Sequence, residues 1–145
     1  MSAPASCPLC DSDGGEVLFR DGLLRVVRVD DADYPGLVRV IVNAHRREMT
    51  DLAAADRERL FGVVLAVEAA QREMLAPDKV NLASLGNQVP HLHWHVIPRF
   101  ADDAHFPDAI WGARRRDPAP GRLAERRARL GSLRSAIRVR LPEAG

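Results

Sequence analysis

His91-Leu92-His93-Trp94-His95-Val96-Ile97 is the stretch on which the reading of this chain turns. Three of the five histidines fall at every second position. A β-strand sends alternate side chains to the same face, so an extended segment here lines up three imidazoles and turns Leu92, Trp94 and Val96 into a core. Pro90 precedes the run at a position where a strand tolerates proline, and Pro98 is expected to end it. Five histidines scattered at random over 145 residues would seldom alternate in this way.

Four kinds of chemistry compete for such a row. The plainest is a solvated polar strand face. A catalytic metal site would want acidic ligands nearby, and no Asp or Glu lies between Gly86 and Ala101. An inert phosphate-binding strand is a third reading. The fourth, nucleophilic attack at phosphorus, follows from electrostatics. Neighbouring imidazoles cannot all be charged cheaply, so His93, flanked on both sides, is the one expected to stay neutral and nucleophilic. A protonated neighbour could then steady phosphate oxygens or protonate a leaving group.

Working outward, Glu16–Arg20 and Leu23–Val29 read as strands joined across Asp21-Gly22, a tight-hairpin signal. Leu37–Asn43 is a further apolar strand after the Tyr34-Pro35-Gly36 turn. Ala53–Leu75 carries apolar residues at helical spacing and is stopped by Pro77. Asn81–Leu85 is a short strand leading to the Gly86-Asn87-Gln88 turn. After Phe100 the chain becomes rich in Asp, Pro, Gly and Arg, and Arg122–Ile137 reads as one basic helix. Residues 1–100 are therefore expected to form the catalytic domain, with 101–145 as a C-terminal extension packed on or flanking it. Strands interrupted by one long helix make the fold class α+β.

Bulk properties narrow the function. A net charge of +1, with 46% hydrophobic and 28% charged residues, fits a soluble globular domain and makes nucleic acid an improbable partner. No apolar run approaches a membrane span, and the N-terminus does not resemble a signal peptide. With two cysteines, the expected location is cytoplasmic. Read alone, Cys7-x-x-Cys10 fits half of a zinc site, a redox pair or two free thiols.

The run 91–97 resembles the signature of the histidine triad (HIT) family, His-φ-His-φ-His-φ-φ with φ hydrophobic, at every position. The Gly86-Asn87-Gln88-Val89 lead-in, the Pro98-Arg99 exit, the Pro35-Gly36 turn and the His45 loop agree with it over roughly residues 7 to 100. The chain is most similar to the bacterial branch described as diadenosine tetraphosphate hydrolases. The resemblance implies a five-stranded antiparallel sheet with one long and one short helix, assembled as a homodimer through the long helix and a sheet edge. It implies a nucleotide hydrolase or nucleotidyl transferase acting at an α-phosphate, on dinucleoside polyphosphates or purine nucleoside phosphoramidates. His93 would be the covalent nucleophile and His95 a contact to the α-phosphate. Asn87 and Gln88 would line the phosphate site, and Asp30 would hold the ribose hydroxyls. It also implies a structural zinc on Cys7, Cys10, His45 and His91, with no metal needed for the chemistry.

This chain departs from the family at two places. It has Asn87-Gln88-Val89-Pro90 where members often have Gln, Ser or Thr, then Val, and it has Leu37 where many have a histidine. A nucleotide-binding module with vestigial activity is the competing expectation. For Arg114-Arg115-Arg116 and the later arginines, a solvated helix face balancing acidic groups is preferred over a polyphosphate or nucleic-acid contact, and Trp111 is expected to pack on the domain.

Overall fold

The computed structural model describes residues 6–141. Five antiparallel strands run β1 Glu16–Arg20, β2 Leu24–Arg28, β3 Val38–Val42, β4 Lys79–Ala83 and β5 His93–Arg99, in the spatial order β1-β2-β3-β5-β4. The β1–β2 hairpin closes where the Asp21 carboxylate accepts from the Leu23 and Leu24 amides, both at 2.8 Å. An aspartate at a turn does this without leaving an orphaned donor. Four helices complete the architecture: α1 Pro8–Asp11, α2 Ala54–Leu75, α3 Pro120–Arg127 and α4 Leu130–Arg140. Among the described residues, no helix is long and apolar enough to cross a membrane.

The sheet has two unlike faces. Val26, Val38, Val40, Val42 and Val96 point to one side, where the buried stripe of α2 (Leu60, Val63, Val64, Val67, Ala70) covers them. α4 joins this core through Leu133, Ala136 and Ile137. Gln71, fully buried in α2, donates to the carbonyls of Gly36 and Val96, both at 2.9 Å, and so ties the helix to β5. The turn at Gly36 requires glycine, because its φ is +92° and a Cβ would stand 2.5 Å from Leu75 Cδ1. The opposite face carries Arg25 and Val27 from β2, Arg39 and Ile41 from β3, and His93, His95, Ile97 and Arg99 from β5. α1 and its loop cover one end of that face through Cys7 and Leu9, packed on Val27 and Ile41. Residues 101–112 cover the other end.

Two expectations need correction. β5 does not end at Pro98; it continues to Arg99, with Pro98 paired to Val80 of β4. By then β3 has already turned away, its last partner being Val96, so no ladder bond on that side is lost for want of a proline N–H. The basic tail is two helices rather than one, broken at Arg129, whose φ of −96° and ψ of 0° lie outside helical values.

Candidate functional site

His93 and His95 share a face of β5, with ring centroids 4.9 Å apart. His91 does not continue the row. It precedes the strand, and its fully buried ring turns toward the N-terminal loop. The three imidazoles are therefore divided into a pair and a single one, which corrects the expectation of three in line. The single ring belongs to a different cluster.

That cluster is Cys7, Cys10, His45 and His91, whose four ligand atoms lie within 4.8 Å of one another. His91 Nδ1 stands 3.4 Å from both Cys7 Sγ and Cys10 Sγ and 3.3 Å from His45 Nδ1. Cys10 Sγ is 3.4 Å from His45 Nδ1. Tetrahedral zinc with ordinary bond lengths would set sulfur–nitrogen pairs about 3.6 Å apart and nitrogen pairs about 3.4 Å apart. His91 Nε2–H donates to the Val42 carbonyl at 2.6 Å, which fixes the tautomer and presents the Nδ1 lone pair to the shared centre. Two thiolates and two oriented imidazoles fit zinc, so these residues form a possible zinc site. The Cys7-x-x-Cys10 turn is short enough to offer both sulfurs because Pro8 opens α1 and the Cys10 and Asp11 amides return to Cys7 O at 3.1 and 3.0 Å.

The same backbone connects the cluster to the pair. His93 Nδ1–H donates to the His91 carbonyl at 2.5 Å, leaving Nε2 with a free lone pair. Ser84 Oγ–H donates to His93 O at 2.9 Å and steadies the strand from the other side. Burial lowers the pKa of His93, the bond to His91 opposes this, and the nearby Arg39 cation lowers it further. For His95, burial first, then His93 and Arg39, push the value down to about 4. Both imidazoles are accordingly neutral at neutral pH.

Trp111 stands half-exposed and packs its ring edge-on against His95, centroids 5.0 Å apart. It walls a cleft of about 760 Å³ with Asn81, Ala83, Ile97 and Ile110. The segment bearing it is held by Asp103, fully buried, which accepts from Arg99 Nε at 2.8 Å, Tyr34 Oη at 3.2 Å and the amides of Phe100, His105 and Phe106 at 3.0, 3.0 and 2.8 Å. Sequence reasoning did not single out Ser84 or Asp103, whose roles appear only once the fold sets Ser84 beside His93 and Asp103 between Arg99 and Tyr34.

The remaining candidates lie outside the strands and helices. Asn87 and Gln88 are exposed in the loop that enters β5. Asp30 is exposed just beyond β2, where alternation gives the functional face to Val29. Arg114 pairs with Asp33 at 2.7 Å, Arg115 with Asp108 at 2.8 Å, and Arg116 donates to Asp103 O at 2.6 Å. These arginines lie in a loop rather than on a helix, and they offset acidic neighbours.

The HIT domain family model matches residues 13–102, more than half of the chain. A histidine triad protein from Bradyrhizobium japonicum is similar at 27% identity and a TM-score of 0.70, over 88% of this chain and 91% of that one. One from Marinobacter aquaeolei VT8 is similar at 28% identity and a TM-score of 0.67, over 87% and 93%. A zinc-bound histidine triad family protein from Mycobacterium smegmatis is similar at 25% identity and a TM-score of 0.57, over 90% and 97%. No curated protein matches the sequence.

Proposed function

The chain belongs to the histidine triad family, and from that membership and the site geometry we propose a nucleotide hydrolase or nucleotidyl transferase that works through a covalent bond to His93. The observation that carries this reading is the 2.5 Å bond from His93 Nδ1–H to the His91 carbonyl, because it leaves the lone pair on Nε2. Nε2 attacks the α-phosphorus, a phosphorus–nitrogen bond forms, and the bond to the leaving group breaks. Water then attacks the same phosphorus, the phosphorus–nitrogen bond breaks, and its electron pair returns to Nε2. His95, neutral and adjacent, donates its N–H to a phosphate or leaving-group oxygen.

Diadenosine tetraphosphate-like dinucleotides and purine nucleoside phosphoramidates are the substrate classes on which this chemistry is expected. Asn87 and Gln88 would close on the phosphate from the loop that enters β5, and Asp30 would take the ribose hydroxyls from the end of β2. Zinc on Cys7, Cys10, His45 and His91 would have a structural role: it would hold the His91 backbone whose carbonyl orients the nucleophile. A homodimer is supported by apolar side chains left exposed on α2 (Phe61 and Leu65) and at the open β4 edge (Leu82 and Leu85).

The test is AMP release from adenosine phosphoramidate and from diadenosine tetraphosphate by wild type and His93→Ala. Turnover abolished in the variant supports the enzyme. Tight AMP binding with no turnover by wild type on either compound would make the chain a binding module instead.

A further inference from the structure

Four arginines project from the functional face of the sheet, and their partners differ sharply. Arg20, on β1, pairs with Asp13. Arg25, on β2, is saturated: Nε donates to Asp13 O at 2.9 Å, Nη1 to Asn43 Oδ1 at 3.1 Å, and Nη2 to Leu9 O at 2.6 Å and Ser12 O at 3.2 Å. Arg99, on β5, is saturated as well, by Asp103, by Asn81 Oδ1 at 2.7 Å and by Asp108 O at 2.7 Å. Arg39, on β3 between them, has a buried Nε with no hydrogen-bond partner among the described residues. Burial alone lowers its pKa, with no acidic neighbour to raise it again.

A buried N–H left without an acceptor costs about 1–3 kcal/mol, and more on a charged group. A fold that satisfies Arg25 and Arg99 completely has the means to satisfy a third, so the exception calls for a partner that arrives from outside. The register says where it would arrive. Arg39 sits directly opposite His95 across the β3–β5 ladder, one pair removed from Ile41 and His93. Cross-strand neighbours on one face have Cβ atoms about 5 Å apart, with the diagonal neighbour still within reach of a long side chain. Arg39 therefore shares the face of the sheet that carries His93 and His95.

Resting on the reading of His93 as a nucleophile at phosphorus, we propose that Arg39 binds the substrate phosphate directly, its guanidinium pairing with the non-bridging oxygens of the phosphoryl group under attack. The two histidines alone make a poor anion site. With His95 held at about 4, its imidazole offers a neutral N–H at neutral pH. The negative charge on the phosphoryl oxygens as the nitrogen–phosphorus bond forms then falls to Arg39, which keeps its own protons throughout. A guanidinium presents parallel N–H donors to two oxygens of one phosphate and stays charged at any working pH. The ligand class follows: a nucleotide carrying an anionic phosphoryl group, and not the corresponding nucleoside.

A phosphate-binding arginine also differs from a structural one in what its removal does to stability. Removing Arg25 or Arg99 strips partners from several acceptors. Removing Arg39 strips no partner among the described residues and removes a buried N–H that has no acceptor, so Arg39→Met should melt no lower than wild type.

The experiment titrates AMP and adenosine separately into wild type, Arg39→Gln, Arg39→Lys and Arg39→Met, by calorimetry, with melting curves for all four. The expected result is AMP binding weakened about 10- to 100-fold in the Gln and Met variants, partial recovery in the Lys variant, unchanged adenosine binding, and a melting temperature at or above wild type. Equal AMP binding by wild type and Arg39→Gln overturns the assignment, as does a parallel loss of AMP and adenosine binding or a clear drop in melting temperature. Wild type that fails to bind AMP overturns both this inference and the nucleotide reading beneath it. Wild-type AMP binding that survives every Arg39 variant leaves that reading standing alone.

Discussion

Replacing Asp103 by alanine should loosen the segment that carries Trp111 and lower the stability of the whole domain by an amount that can be stated in advance. The carboxylate is fully buried and accepts from Arg99, Tyr34 and three backbone amides. Alanine leaves the buried Arg99 guanidinium without its anion, a defect worth about 3–5 kcal/mol. In a domain of this size that is a fall in melting temperature of roughly 10–15 °C. Its pH dependence is a second signature. Hydrogen bonds from Arg99 and the amides outweigh burial and hold the Asp103 pKa at about 2, below the ordinary 3.8. The ionised group therefore stabilises fully above pH 3.8, and that contribution is lost as the pH falls toward 2. The gap between wild type and variant should be widest at pH 7 and shrink by about 2 kcal/mol across that window. Urea denaturation at a series of pH values reads both quantities. A loss below 1 kcal/mol at pH 7, or a gap independent of pH down to 2, would refute the view that Asp103 anchors the segment carrying Trp111.

Gly36→Ala should cost at least about 1–2 kcal/mol, since alanine meets both the positive φ and the 2.5 Å approach to Leu75; the urea midpoint measures it. Protein purified without added metal should hold one zinc per chain by elemental analysis, and Cys7→Ser should lose it together with thermal stability, because a structural zinc binds only the folded arrangement. His95, with its pKa lowered from 6.5 to about 4, resists protonation when folded and takes it up when unfolded. Wild type should therefore lose on the order of 3 kcal/mol of stability through this group as pH falls from 6.5 to 4, and His95→Asn should flatten that part of the curve.

Much of this arrangement was legible in the residues because it depends on local period. Alternation placed Leu92, Trp94 and Val96 toward the core, Asp21-Gly22 marked the hairpin, and Pro77 ended α2 within a residue of the expected place. The errors arose where tertiary context overrides a local rule. Pro98 ends strands when both sides are paired, but β3 has left by that point. His91 obeys the alternation in sequence, yet its ring is drawn to Cys7, Cys10 and His45, from two other parts of the chain. Arg39 reads as a polar interruption of an apolar strand, and only the register with His95 and the lack of any partner reveal its position. Trp111 carries no local pattern at all; it reaches His95 because Asp103 folds the segment back over Arg99.

The proposed bond between His93 Nε2 and phosphorus can be caught by rapid chemical quench with peptide mass mapping. Wild type mixed with adenosine phosphoramidate and quenched in alkali, which preserves a phosphorus–nitrogen bond, should carry one adenylyl group on the peptide containing His93. The group should appear before steady-state AMP release and be absent from His93→Ala. AMP release with no nucleotide on that peptide at the earliest quench times, or with the adduct on another residue, would contradict the account.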